Sequence, residues 1–161
     1  MAVATTGIPL LDKLPVEHLC DFSIDLEPPQ VIPTPRGNRV TYIVRKGVVE
    51  GPELRGEILP GGGDWLMFGN DGVGRLDVRA TLRTHDGALV HVTTHGVADL
   101  PPEAMELWGN GERIGWDRMY TRSTLLFETG DERYAWLNRV VTVAVNELAQ
   151  DHVDYRIYKV L

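Results

Sequence analysis

The sequence predicts a mainly β protein, an antiparallel sandwich or β-barrel of about eight to ten strands with one short helix. Three observations carry that expectation. Segments of alternating apolar and polar residues recur along most of the 161 residues, and a period of two marks half-buried strands. Clusters of Gly, Pro and Asp separate those segments, as turns between strands require. Finally, Leu76–Val97 reads LDVRATLRTHDGALVHVTTHGV. Its Asp86-Gly87 pair is a strong hairpin signal, because glycine accepts positive φ without steric cost.

Taken in order, residues 1–15 read as an arm with a short helical turn around Leu10–Leu14, and residues 16–161 as a single barrel domain. His18–Leu26 places Cys20, Phe22, Ile24 and Leu26 on one side and Asp21, Ser23 and Asp25 on the other, a half-buried strand. Pro33, Pro35 and Gly37 mark a loop carrying Arg36 and Arg39; Val40–Val44 and Leu54–Leu59 are further strands. Pro60–Asp64 is glycine-rich but lacks the Lys-Ser/Thr of a phosphate loop, so it reads as a tight corner before a strand at Asp64 and Trp65. Asp99–Asn110 is the helix, with Asp99 as its N-cap and Pro101 and Pro102 at its start. Met119–Phe127, a long strand over Tyr134–Val145, and Val153–Val160 complete the chain. The first and last strands are expected to pair and close the barrel, which removes open edges.

Composition narrows the function. The net charge of −7, from 23 acidic and 16 basic residues, argues against nucleic-acid binding, which calls for basic patches. No apolar run is long enough to span a bilayer. The N-terminal stretch MAVATTGIPLLDKLP lacks a basic segment followed by a continuous apolar one, so no signal peptide is expected and the cytoplasm is the default location. Cys20 is the only cysteine, which leaves no disulfide within the chain and no cysteine-based zinc site. Walker, dinucleotide-binding and Gly-x-Ser-x-Gly signatures are absent, so no cofactor is expected and acid–base chemistry is the default for any enzyme here.

A three-residue loop at His85-Asp86-Gly87 sets Asp77 opposite His95, Arg79 opposite Thr93 and Thr81 opposite His91. Val78, Ala80, Leu82, Val90 and Val92 share the other face. His91 and His95 lie about 13 Å apart along a strand, too far to share a metal ion directly. Asp77 beside His95 reads either as a carboxylate that orients a general base or as a cross-strand charge pair on the outside of a sheet. Arg79 reads as an oxyanion-binding guanidinium or as a partner of Asp77 or Glu128. The aromatic residues of the second half, among them Trp108, Trp116, Tyr120, Phe127, Tyr134 and Trp136, read as core or as the lining of a ligand-holding lumen.

GPELRGEILPGGGDW (Gly51–Trp65), LDVRATLRTHDGALV (Leu76–Val90), TLLFETG (Thr124–Gly130) and YAWLNRVVTV (Tyr134–Val143) together resemble the bacterial and fungal family known as domain of unknown function 3237. PPQVIPTPRGNR and VDYRIYKVL fit it too, so the likeness covers nearly the whole chain after Leu19. The resemblance implies a single-domain antiparallel β-barrel, calycin-like in outline, and no one settled activity. Its characteristic polar positions fall on Asp64, Trp65, Asp77, Arg79, Glu128 and Asn138, with Tyr134 and Trp136; Tyr120 and Arg122 match more loosely. Ala80 stands where the family commonly carries tyrosine, and His91 where an aromatic or aliphatic residue is usual.

These readings set a functional expectation. It is a cofactor-independent lyase or isomerase that cyclises, isomerises, or adds or eliminates water on a small aromatic or polyketide-like molecule in the lumen. Asp77 with His95, or His91, would be the acid or base, and Arg79 the oxyanion stabiliser. Asp64, Trp65, Tyr120, Arg122, Tyr134, Trp136 and Asn138 would bind the ligand. The alternatives are a non-catalytic barrel for a small hydrophobic ligand, and a barrel filled by its own side chains with a structural role. A homodimer fits the exposed strand faces, and no membrane partner is expected.

Overall fold

The computed structural model describes residues 6–161. Residues 1–5 of the expected arm lie outside the described residues; residues 6–15 carry no helix or strand, and the turn of helix expected at Leu10–Leu14 does not form. The rest is an eight-stranded antiparallel β-barrel with extra strands and a short helix.

Its strands are β1 (Val16–Leu26), β2 (Gln30–Thr34), β3 (Gly37–Glu50), β4 (Gly56–Ile58), β5 (Gly63–Gly69), β6 (Val73–Thr84), β7 (Leu89–Asp99), β8 (Tyr120–Glu128), β9 (Thr142–Ala149) and β10 (His152–Val160). Around the barrel the order runs β1, β10, β9, β8, β7, β6 and then back through β4 and β5 to β3, which pairs with β1 to close the ring. Both β4 and β5 lie between β3 and β6, one at each end, and act as a single interrupted strand. The long β3 serves two neighbours on its other edge, β2 along Gly37–Thr41 and β1 along Val44–Glu50.

Several expectations hold. The first and last strands pair, with Phe22 opposite Tyr155. The β6–β7 hairpin has the register set by a three-residue loop: Asp77 faces His95, Arg79 faces Thr93 and Thr81 faces His91. Gly87 takes φ of 92° in that loop, a conformation that favours glycine.

Other elements differ. The loop expected around Pro33 is β2 as far as Thr34; proline is tolerated there because β2 is an edge strand on β3. The helix α1 spans Pro102–Gly109, and Pro101 rather than Asp99 occupies its N-cap, with no side-chain cap. Tyr134–Val145 is not one strand: Glu132–Arg139 is a 3-10 helix, and β9 begins only at Thr142. Asp131 starts that helix by accepting a hydrogen bond from the Arg133 N–H, so a local cap overrides the alternating pattern.

The lumen is solid at one end. Leu82, Val90, Val92, Leu125, Phe127, Leu137 and Ile157 are all buried there, and the 3-10 helix seals it with Tyr134 and Leu137. Cys20 belongs to the same core, and burial pushes its thiol pKa up to about 12, with Asp21 adding to the shift.

Candidate functional site

The other end of the lumen is hollow. A cavity of about 460 Å³ opens there, and its walls come from β1, β3 and β5–β10. Val31 of β2 and Leu100, Met105 and Trp108 of the α1 segment form its rim. Most of the wall is aliphatic: Val40, Val44, Leu66, Leu76, Val78 and Leu148 among others. Small residues help create the space: Gly74 and Ala98 occupy inward positions where larger side chains would fill it, whereas Gly63 has the outward parity of its partner Arg79 and borders the cavity only through its backbone. Gly63 also lies against the backbone of β3, where an added Cβ would stand 2.4 Å from the Tyr42 carbonyl oxygen.

One carboxyl group faces this apolar space. Asp64 lines the cavity from β5. Strands β5 and β6 pair at Asp64–Val78 and again at Met67–Arg75, but not between. In that gap the Asp77 N–H donates to Asp64 Oδ1 at 3.0 Å, so the side chain takes a backbone bond that the ladder leaves free. Burial raises the Asp64 pKa to about 6; the Asp77 N–H opposes the shift and the Asp77 charge reinforces it. A carboxyl tuned to that range can exchange protons near neutral pH.

Polar groups accompany it. Tyr42 on β3 and Tyr155 on β10 both line the cavity. Burial first, and the Asp64 charge second, raise the pKa of each phenol, so both stay protonated as donors. Asn146 stands opposite Tyr155 on β9, near enough to the phenol to offset part of that rise, yet neither its amide nitrogen nor its oxygen completes a hydrogen bond among the described residues. Thr121 on β8 also lines the cavity with an unpartnered Oγ1. At the rim, His152 Nδ1 lies 2.8 Å from Asp25 and its Nε2 2.9 Å from Asp154, tying β10 to β1.

The residues expected to do the chemistry lie elsewhere. Asp77, Arg79, His95 and His91 project from the outer face of the β6–β7 hairpin, and none of them lines the cavity. Arg79 is 52% exposed, His95 65% and Asp77 37%. Arg79 Nη2 sits 3.1 Å from Asp77, and His95 Nδ1 is 3.9 Å from it: the cross-strand charge cluster of the alternative reading. The hydrophobic effect explains the orientation, since the hairpin's apolar face (Val78, Ala80, Leu82, Val90, Val92) turns inward.

The expected ligand-binding residues divide in the same way. Asp64 alone among them lines the cavity. Trp65 is on the outer face under the Arg79 guanidinium, 5.8 Å from ring centre to Cζ. Tyr120 is exposed and carries Arg122 over its ring at 4.8 Å. Tyr134 is buried at the sealed end, where its hydroxyl donates to Asp86 Oδ1 at 2.8 Å. Trp136 packs on the core beneath Lys159. Asn138 fastens the 3-10 segment by accepting from the Thr129 N–H and donating to the Thr129 carbonyl.

The family model for the protein of unknown function DUF3237 matches residues 14–160. The chain belongs to the DUF3237 family. A UPF0311 protein of Clostridium acetobutylicum is 29% identical over 124 residues, covering 77% of this chain and 78% of that protein. The crystal structure of a conserved protein of unknown function from Rhodopseudomonas palustris superposes with a TM-score of 0.86 at 24% identity, covering 94% of this chain and 100% of that one. An enzyme from Penicillium herquei shares the fold with a TM-score of 0.67 at 20% identity, covering 96% and 99%. Among the described residues of this DUF3237 barrel, no three His, Cys, Asp or Glu side chains cluster as metal ligands, and no helix is long and apolar enough to cross a membrane.

Proposed function

We propose that this DUF3237 barrel uses its hollow end in a calycin-like way. The lumen takes up a small, largely apolar, ring-containing molecule, and Asp64 moves a proton on it. The carrying observation is a single buried carboxyl with a pKa near 6 in a cavity whose wall is mostly apolar. Desolvation brings such a group within about one pH unit of neutrality, so it is mostly a carboxylate ready to act as base and, once protonated, is acid enough to give the proton back in the next step. In the simplest step, the Asp64 carboxylate removes a proton from a carbon beside a ligand carbonyl, and the C–H electron pair moves into the enolate. A Tyr155 or Tyr42 hydroxyl donates a hydrogen bond to the enolate oxygen. The protonated Asp64 then returns the proton to a different carbon or oxygen. Isomerisation, cyclisation and addition or elimination of water are variants of this exchange. The Penicillium herquei relative in fold is an enzyme, which agrees with a catalytic use of this barrel. The mostly aliphatic lining favours the second reading, a carrier that binds the same class of ligand without turnover.

The test uses 2-tetralone, a bicyclic ketone with acidic hydrogens beside its carbonyl. In D₂O, the wild-type protein should accelerate deuterium uptake at that carbon, with a rate that rises through about pH 6 as Asp64 ionises. Asp64→Asn should return the rate to the buffer background, a loss of about 100-fold or more. Equal rates in the variant and the wild type would overturn the assignment. Tight binding with no exchange in either would leave the carrier reading in its place.

A further inference from the structure

Three polar atoms in the cavity wall have no partner. Asn146 is 2% exposed, with both its amide nitrogen and its oxygen unsatisfied; Thr121 is 1% exposed, with its hydroxyl unsatisfied. Both residues line the cavity. Strands β8 and β9 pair Arg122 with Val145 and Ser123 with Ala144, and the same register one residue on sets Thr121 beside Asn146. Asn146 in turn faces Tyr155. Thr121, Asn146 and Tyr155 thus form one inward row across β8, β9 and β10, running toward Asp64.

Leaving a buried amide unpaired costs free energy that an aliphatic side chain of similar size would avoid. Among the described residues, the acidic and basic side chains that line the cavity are Asp64, which disfavours an anion beside the row, and His152 at the rim, which Asp25 and Asp154 already hold. A carboxamide presents one donor and one acceptor side by side, and a threonine hydroxyl can serve as either. The matching ligand edge is therefore uncharged and offers an acceptor and a donor on neighbouring atoms.

We infer that Asn146 and Thr121 form a recognition edge for a neutral donor–acceptor pair, such as a hydroxy-carbonyl, an enol or a lactam, carried on an otherwise apolar ring system. The inference deepens the lumen-binding reading and rests on it, but not on Asp64 being catalytic. The edge fixes which end of the ligand meets the β8–β10 wall, and so which carbon reaches Asp64. The apolar walls supply affinity and the edge supplies orientation.

Two bicyclic probes of similar shape test this: 2-quinolone, whose lactam carries an adjacent N–H and C=O, and 2-methylnaphthalene, which carries neither. Their own fluorescence reports binding. Asn146→Leu should weaken 2-quinolone roughly tenfold and leave 2-methylnaphthalene unchanged or tighter. Thr121→Val, nearly isosteric, should weaken 2-quinolone by a smaller factor with the same selectivity, and it supplies the answer should Asn146→Leu fail to fold. Asp64→Asn should preserve the preference for 2-quinolone even where it abolishes deuterium exchange, which separates the two readings. Equal loss of both probes in the foldable variants would overturn the inference, as would no loss of 2-quinolone or no binding of either probe to the wild type.

Discussion

The two ends of the barrel use the same strands and the same inward parity to opposite ends. Toward the sealed end, β6 turns Ala80 and Leu82 inward, β7 Val90 and Val92, and β8 Leu125 and Phe127, and they meet in a solid core. Toward the open end, the same three strands contribute Gly74, Ala98 and Thr121, and the interior is empty. The sealed end is plugged by the 3-10 helix, while the open end is only rimmed by α1. Dense packing therefore concentrates at one end and the cavity, with the ligand chemistry proposed for it, at the other, and a few small residues separate the two.

The widest test of that division is a pair of leucine truncations. Leu125→Ala removes a fully buried side chain from the packed end and should cost about 3–5 kcal/mol in urea denaturation, through lost burial plus a new void. Leu76→Ala removes one that already borders open space and should cost about 1–2 kcal/mol. Equal costs would mean that the upper lumen is packed in solution and that the division does not exist.

Asp64 should show the opposite sign. Its folded pKa is raised from 3.8 to about 6, so the folded protein binds this proton more tightly than the unfolded chain. The group's contribution is then most favourable below pH 4 and is lost as pH rises through 6. By pH 8 the ionised side chain costs about 3 kcal/mol. Asp64→Asn keeps an acceptor for the Asp77 N–H and cannot ionise. It should stabilise the protein by up to about 3 kcal/mol at pH 8 and by almost nothing at pH 4, measured as unfolding midpoints across that range. A gain independent of pH would place Asp64 in contact with bulk water and remove it from the cavity chemistry.

Tyr134→Phe tests the sealed end more gently. The lost bond holds the 3-10 helix to Asp86 of the β6–β7 loop, where Thr84 also donates to Asp86 and accepts from Ala88. Removing the hydroxyl should cost about 1 kcal/mol and leave 2-quinolone binding unchanged, because the cavity is at the other end. A change in binding would couple the two halves.

How much of this was legible in the sequence depends on what each signal reports. The Asp86-Gly87 turn states a loop length, and loop length fixes register, so the partners of Asp77, Arg79 and Thr81 could be read directly. Alternation states which residues share a face but not which way the face points, and the polar face of that hairpin is the outer one. Asp64 was reachable only through the family resemblance. Thr121, Asn146 and Tyr155 carried a different signal, a polar residue in a stripe of otherwise apolar parity: Thr121 and Ser123 with Leu125 and Phe127, Asn146 with Ala144 and Leu148, Tyr155 with Val153 and Ile157. Tyr134–Val145 misled because a strand would set Tyr134, Trp136, Asn138 and Val140 on one side, whereas the helix that Asp131 caps buries Tyr134 and Leu137 instead.

The smallest expected effect is the most discriminating for the outer face. An inward Arg79 would make Arg79→Ala abolish ligand binding while the fold survived. The outward one, half exposed and paired with a partly exposed Asp77, should do neither. Exposed ion pairs contribute little, because water already solvates both charges, so Arg79→Ala should shift stability by less than about 0.5 kcal/mol. Its guanidinium rests on Trp65 outside the barrel wall, and deuterium exchange and 2-quinolone affinity should both match the wild type. Loss of either in a well-folded Arg79→Ala protein would return the chemistry to the Asp77–Arg79–His95 cluster. It would also mean that a ligand reaches the outer face of β6 rather than the cavity behind it.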